Sequence, residues 1–231
     1  MKTLITITLI LLAATSLSTK SYATELSDAE KEGIQLMREE EKLAHDVYQF
    51  LYQKWGIPVF NNISNAETRH FDAVGYLLKN FKIEDPALPE FGKFTNHEIT
   101  FLYDSLTQKG SETLTEALKV GAFIEEFDIA DLRKLIAINN DTIIDGVYQN
   151  LLRGSNNHLR AFIGQLESRN ETYIPIILSE TVFAEIVEGE HERGSIDNNC
   201  VIQENSCPNQ QKNIPAGNRG KGRMRGQRGW N

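Results

Sequence analysis

Glutamate and histidine recur in this chain where amphipathic helices should be apolar. Glu40 and Glu41 sit in REEEKLAHDVY, Glu67 and His70 in NAETRH, Glu125 in GAFIEEFDIADL and His158 in GSNNHLRAF. One buried carboxylate has a local explanation. Several carboxylates and two imidazoles facing one core repel or strand one another unless a cation lies between them. Hard carboxylate oxygens hold Fe or Mn, and imidazole nitrogens complete such a shell. Residues three apart on a helix share a face, so Glu67 and His70 can reach a single ion. The expected chemistry is a carboxylate-rich site for iron or manganese, with one or two ions per chain.

Four long helices must position these groups. The first is expected from Ser27, where Ser27 and Glu30 form a capping box, to Trp55-Gly56. Ile34, Met37, Ala44, Tyr48 and Leu51 follow three-four spacing, with Glu41 in the gap, and Glu40 fills the gap of the adjoining Leu36, Leu43, Val47 stripe. Glu39, Lys42 and Asp46 are placed on the outer face. A second helix is expected from Ser64 to Phe81. A connection containing Pro86 and Pro89 then leads to a short helix opened by Thr95 and closed by Gly110. The third long helix follows Ser111, with Glu125 at the centre of its inner face and the small pair Gly121-Ala122 leaving room for a neighbouring helix or an ion. The fourth runs from Asp141 to Ser168, and a short capping helix spans Thr181 to Val187. The fold class expected is all-α, with a short helix inserted between the halves of a bundle.

Helix order and spacing point further. Glu41-Lys42-Leu43-Ala44-His45-Asp46-Val47-Tyr48 resembles the Glu-x-x-Ala-x-x-x-Tyr of ferritins and rubrerythrins. EEEKLAHDVY, GAFIEEFDIADL and SNNHLRAF together resemble a bacterial family of exported ferritin-like domains of unknown function, over residues 27 to 188. The resemblance implies a ferritin-like four-helix bundle and a metal set of Glu41, Glu67, His70, Glu125 and His158, preferring Glu41 over Glu40. Its fourth helix departs from the pattern: Ser155-Asn156-Asn157-His158 stands where Glu-x-x-His is usual. Asp128, one turn after Glu125, is the candidate substitute; an asymmetric pair or a single ion are the alternatives. The resemblance implies a fold and no known reaction; it is the carboxylate-rich ligation that suits a ferroxidase or an O2- or peroxide-reactive oxidoreductase. Two cysteines in the whole chain exclude a rubredoxin-type four-cysteine electron donor.

Bland roles stay open for each residue. Glu67 sits three after Ser64 and suits a capping box. His70 and His158 suit hydrogen-bonded core histidines. Glu125 suits an ion pair with Arg69, Arg133 or Arg160. His45, His97 and His191 read as peripheral.

The rest of the chain bounds the setting. Residues 1–23 read as a secretory signal: Lys2, an apolar run from Leu4 to Ala14, then Ser21-Tyr22-Ala23 before Thr24. The alternative is an uncleaved anchor, for which the run is short. No other segment approaches a membrane span. Residues 24–190 form the expected helical domain and 191–231 a tail. Cys200 and Cys207 read as a local disulfide in an exported chain. Residues 24–207 hold 16 basic residues against all 32 acidic ones, whereas the stretch after Cys207 is basic, Gly/Arg-rich and expected to be disordered. Such a tail suits an anionic envelope polymer. An oligomer is compatible with this pattern. The competing function class is a non-enzymatic envelope interaction module with weak or no metal, acting through the acidic body and basic tail.

Overall fold

The computed structural model describes residues 26–193, and among them the only regular structure is helical. The leader at residues 1–23, the Cys200–Cys207 pair and the basic tail lie outside the described residues. α1 spans Asp28–Trp55, α2 Pro58–Phe81, α3 His97–Gly110, α4 Leu114–Ile138, α5 Thr142–Glu167 and α6 Glu180–Glu188. None is long and apolar enough to cross a membrane.

Local chemistry sets these limits. Ser27 and Glu30 exchange both bonds of a capping box at the start of α1. Gly56 ends that helix at φ 66°, a left-handed backbone that glycine adopts without a Cβ clash. α2 begins at Pro58 rather than Ser64, because a proline in the first turn loses no intrahelical bond. Ser64 is therefore helix interior: its hydroxyl accepts from Gln49 Nε2 at 2.8 Å and donates to the His45 carbonyl. The capping-box role for Glu67 falls with it. α3 is capped by Asn96, whose side chain accepts from the Glu98 amide, while Thr95 bonds the Pro86 carbonyl instead. Thr113 and Asp141 cap α4 and α5.

Each long helix passes two separate apolar clusters with a polar layer between them. α1 meets the cluster of Ile34 and Met37 first, then that of Leu43, Val47, Tyr48 and Leu51. α2 meets them in the opposite order, Phe60 and Ile63 before Val74, Leu77 and Leu78. α4 runs as α2 does, from Leu118 to Leu132, and α5 runs as α1 does, from Ile144 and Leu151 to Phe162 and Leu166. So α1/α2 and α4/α5 are antiparallel pairs, and the connection carrying α3 returns the chain so that α4 parallels α2. Glu40, Glu41, Glu67, His70, Glu125, Asp128, Ser155 and His158 all fall in the layer between the clusters.

Glu39, Lys42 and Asp46, placed outside by helical periodicity, are all buried. Glu39 accepts from the Thr95 and Asn96 amides at 2.6 and 3.0 Å. Asp46 accepts from Lys42 Nζ at 2.6 Å and the Gly92 amide at 2.9 Å, with His45 Nδ1 at 2.8 Å. The loop between α2 and α3 covers this face of α1, and its amides need acceptors. Glu126 does the same on α4, accepting from Tyr173 Oη and the Ile176 and Leu178 amides in the segment after α5.

Candidate metal centre

Glu67 lies at the middle of the polar layer, 2% exposed, with one carboxylate oxygen toward each imidazole. Its Oε2 is 2.7 Å from His70 Nδ1 and its Oε1 is 2.8 Å from His158 Nδ1. Glu41 Oε2 approaches His70 Nδ1 at 3.4 Å, and Glu125 Oε2 approaches His158 Nδ1 at 3.5 Å. The arrangement has two halves, Glu41 with His70 and Glu125 with His158, joined by Glu67. The two rings lie 5.5 Å apart, nearly stacked.

These close approaches lack hydrogen-bond geometry. His70 Nδ1, His158 Nδ1, Glu67 Oε1 and Glu41 Oε1 are buried without a hydrogen-bond partner. Oxygen and nitrogen lone pairs that sit together yet off one another's donor axes suit atoms converging on a common point. Glu67, His70 and His158 bring one ligand atom each within 4.8 Å of one another, a group able to hold a metal ion. The donor set of carboxylate and imidazole is that of iron, manganese and zinc.

Backbone packing and a tyrosine orient the ligands. Gly154 of α5 lies against the far edge of the His70 ring; a Cβ there would stand 2.6 Å from Nε2. That close approach leaves Nδ1 facing the carboxylates. Tyr48, fully buried, donates to Glu125 Oε1 at 2.6 Å. Glu125 thus takes a hydroxyl donor, while Arg69 bonds the Asn65 carbonyl and Arg160 pairs with Glu192. The space beside Gly121 is filled by the Phe162 ring of the neighbouring helix α5. Ser155 donates to Asp128 Oδ2, which leaves Asp128 Oδ1 without a partner. Asn156 and Asn157, which precede His158, bind Glu192 in the segment after α6.

Electrostatics follow from crowding. Burial favours a neutral Glu67, yet the charges of His158 and His70 outweigh it and hold that carboxyl well below the usual range. Burial disfavours both imidazolium ions, but Glu41 and Glu67 hold His70 well above its ordinary value, and Glu67 and Glu125 hold His158 up at about 10. Burial pushes Glu41 up to about 7 and raises Glu125, in both cases against the pull of a neighbouring histidine. Asp128 is raised well above the carboxylate range by burial and by Glu41. Without a metal ion, the layer balances itself with two imidazolium ions and protons on several acids.

All five expected ligands meet here. Glu40 does not face the imidazoles; its carboxyl lies among Asp128, Asp131 and Glu41. His97 and His191 are exposed and His45 is half-buried on Asp46, away from the layer. Sequence reasoning missed Gly154, whose role depends on which ring edge crosses it, and Asp131.

Known proteins align with this chain over its helical part. Residues 30–190 match the family described as "Uncharacterized protein domain (DUF2202)". The uncharacterized protein MJ0754 of the archaeon Methanocaldococcus jannaschii is 46% identical over 170 residues, which are 73% of this chain and 92% of the relative. The crystal structure of hypothetical protein MJ0754 from Methanococcus jannaschii matches with a TM-score of 0.71 at 45% identity, covering 72% of this chain and 96% of that one. The relative is archaeal, which widens the bacterial distribution expected from the motifs. A match across most of the chain, and a relative this similar over its own length, establish that the chain belongs to the DUF2202 family.

Proposed function

We propose that this is a ferritin-like four-helix-bundle protein holding one or two iron or manganese ions at Glu41, Glu67, His70, Glu125 and His158. The observation that carries it is the position of Glu67, with an oxygen directed to each of two imidazole nitrogens that have no other partner. Two antiparallel helix pairs joined by one long crossover support the bundle assignment, since ferritin-like folds have one such connection. Glu67 would serve both halves of the site, with Glu41 and His70 holding metal in one and Glu125 and His158 in the other. Asp128 Oδ1 is the candidate for the carboxylate position that Ser155 leaves unfilled.

Bound iron would supply O2- or peroxide-dependent redox chemistry, as a ferroxidase or small oxidoreductase. The chain's own part is to position and to exclude water. Apolar clusters above and below the layer keep it dry. Tyr48 holds Glu125, and Gly154 seats His70 with Nδ1 inward. The leader and basic tail complete the proposal as features of an exported protein.

Metal analysis of the full chain, purified without chelator and then loaded aerobically with Fe(II), tests the reading. One to two equivalents of iron or manganese are expected. No bound iron or manganese after loading would overturn it. A second test avoids the ligands altogether. Gly154→Ala is expected to weaken metal binding by about tenfold or more, because displacing a group that seats a ligand costs that much. Gly146→Ala on the same helix, where a Cβ meets nothing within 4 Å, is expected to leave affinity unchanged. Competitive titration of the two variants checks this; equal affinities would mean the His70 ring edge is not what Gly154 positions.

A further inference from the structure

α4 serves two sides of the molecule. Gly121, Glu125 and Asp128 turn toward α5 and the centre. Glu116, Lys119, Val120 and Phe123 recur at three-four spacing on the opposite side of the helix. The outward side of a bundle helix is expected to meet solvent. Instead a cavity of about 450 Å³ lies over it, walled by Leu106 and Lys109 of α3 and by the irregular segment 172–176. Small-molecule sites run from roughly 300 to 1,000 Å³, with mostly apolar walls and a few polar groups.

The irregular wall is fixed from beneath. Glu126, fully buried, accepts from the Tyr173 hydroxyl and from the Ile176 and Leu178 amides. A buried carboxylate with three donors holds this segment whether or not anything fills the cavity, so a ligand meets a preformed site. The same anchoring leaves Ile174 76% and Ile176 69% exposed at the cavity wall. Two large aliphatic side chains there gain by covering an apolar body. Charge defines the head of that body. The chain is acidic overall, yet two lysines and one glutamate line the cavity. Lys109 lies 2.8 Å from Glu112 and 3.2 Å from Glu116. Lys119 has the weaker share: its one ion pair among the described residues is with that same Glu116, at 3.4 Å. An ammonium has three donors, so Lys119 keeps capacity for a singly charged anionic head.

We propose that this cavity binds a small amphipathic carboxylate, its apolar body against Leu106, Val120, Phe123, Ile174 and Ile176 and its head on Lys119. The site lies on the side of α4 away from the metal centre and does not depend on it.

Calorimetric titration of the full chain with decanoate, kept below its micelle concentration, tests the site. Wild type is expected to take up one decanoate per chain. It should bind decyltrimethylammonium about tenfold more weakly or worse, because that head meets ammonium groups. Lys119→Glu reverses the charge under the head, and Ile176→Asp sets a charge against the apolar body. Both side chains reach solvent, so melting temperatures should stay close to wild type. Each variant is expected to weaken decanoate binding about tenfold or more. Ile138→Asp, at an exposed aliphatic position that ends α4, should bind as wild type does. A wild type that takes up no decanoate, or that binds the cationic probe as tightly, would overturn the proposal. So would undiminished binding in both cavity variants, or an equal loss in Ile138→Asp. A wild-type dimer that Ile176→Asp dissociates would also overturn it, by making the cavity a contact between two copies of the chain.

Discussion

Glu67→Gln is expected to leave the chain unable to retain iron or manganese, with affinity reduced by more than about 100-fold. Loss of a group supporting a ligand already costs up to that much, and Glu67 faces both imidazoles at once. The stripped protein suffers too. There Glu67 is the shared counter-ion of two buried imidazolium ions, and removing one partner of a buried pair costs roughly 3–5 kcal/mol. The pH dependence gives a second readout. In the stripped wild type, His158 titrates at about 10 against an ordinary 6.5, so its stabilising contribution is complete below about pH 6.5 and is lost as pH rises through 10. Glu41, raised from 4.5 to about 7, favours the fold while protonated and withdraws that contribution over the same direction of pH. Glu67 itself is depressed, so its contribution is present above the usual carboxylate range and lost only in strong acid. Stripped protein should therefore melt lower as pH rises from about 5 to 8. Metal displaces these protons, so the gain in melting temperature on loading should widen over that span. Glu67→Gln should abolish the gap. A variant that retains metal, or a gap that narrows with pH, would remove Glu67 from the centre.

The helices were legible in the sequence wherever one strong local signal marked them. Ser27 with Glu30 and Asp141 mark starts that stand in the structure as read, and three-four spacing located α4 and α5. The start of α2 was not legible. Pro58 follows Gly56 so closely that the pair reads as one loop, although Gly56 ends one helix and Pro58 opens the next. Burial of Glu39, Lys42 and Asp46 was missed for a different reason, and Glu126 carried no expectation at all. Periodicity assigns each helix one inner arc and is blind to where long connections run. The loop before α3 and the segment after α5 lie over the backs of α1 and α4, where these carboxylates receive their amides. Two long connections containing prolines were the available signal, since their amides had to find acceptors.

The candidate centre was legible as a set of residues but not as an arrangement. Glu-x-x-His spacing brought Glu67 and His70 together, and the order of helices brought the others. Choosing Glu41 over Glu40 needed the resemblance, because both fall within one wide apolar arc. In the structure the two part company: Glu41 approaches His70, while Glu40 lies among acids. The rotation separating adjacent helix residues is about 100°, enough to send neighbours into different surroundings. Which ring edge His70 shows to the carboxylates depends on Gly154, eighty-odd positions away in sequence, and no local pattern encodes that contact.

Ser155→Glu is expected to raise metal content toward two ions per chain, the largest gain any single change should give. Position 155 is 1% exposed, three residues before His158 and opposite Asp128. A glutamate there would restore Glu-x-x-His on α5 and supply the carboxylate missing from the half of the centre built on Glu125 and His158. Its cost without metal is twofold. The longer side chain displaces the Ser155 bond to Asp128 and overfills the layer, at about 1–3 kcal/mol. It also adds an acid where burial and Glu41 already raise Asp128 well above its ordinary range. Stripped Ser155→Glu should therefore melt below stripped wild type, and loaded Ser155→Glu should melt above loaded wild type. That crossing is the diagnostic. Plasma mass spectrometry beside thermal melts, each with and without Mn(II) or Fe(II), reads both quantities on one sample. If the layer is merely a self-balanced set of imidazolium ions and acids, a further buried carboxylate has no cation to meet, and the variant should be less stable under both conditions with metal content unchanged. That outcome would overturn the metal centre.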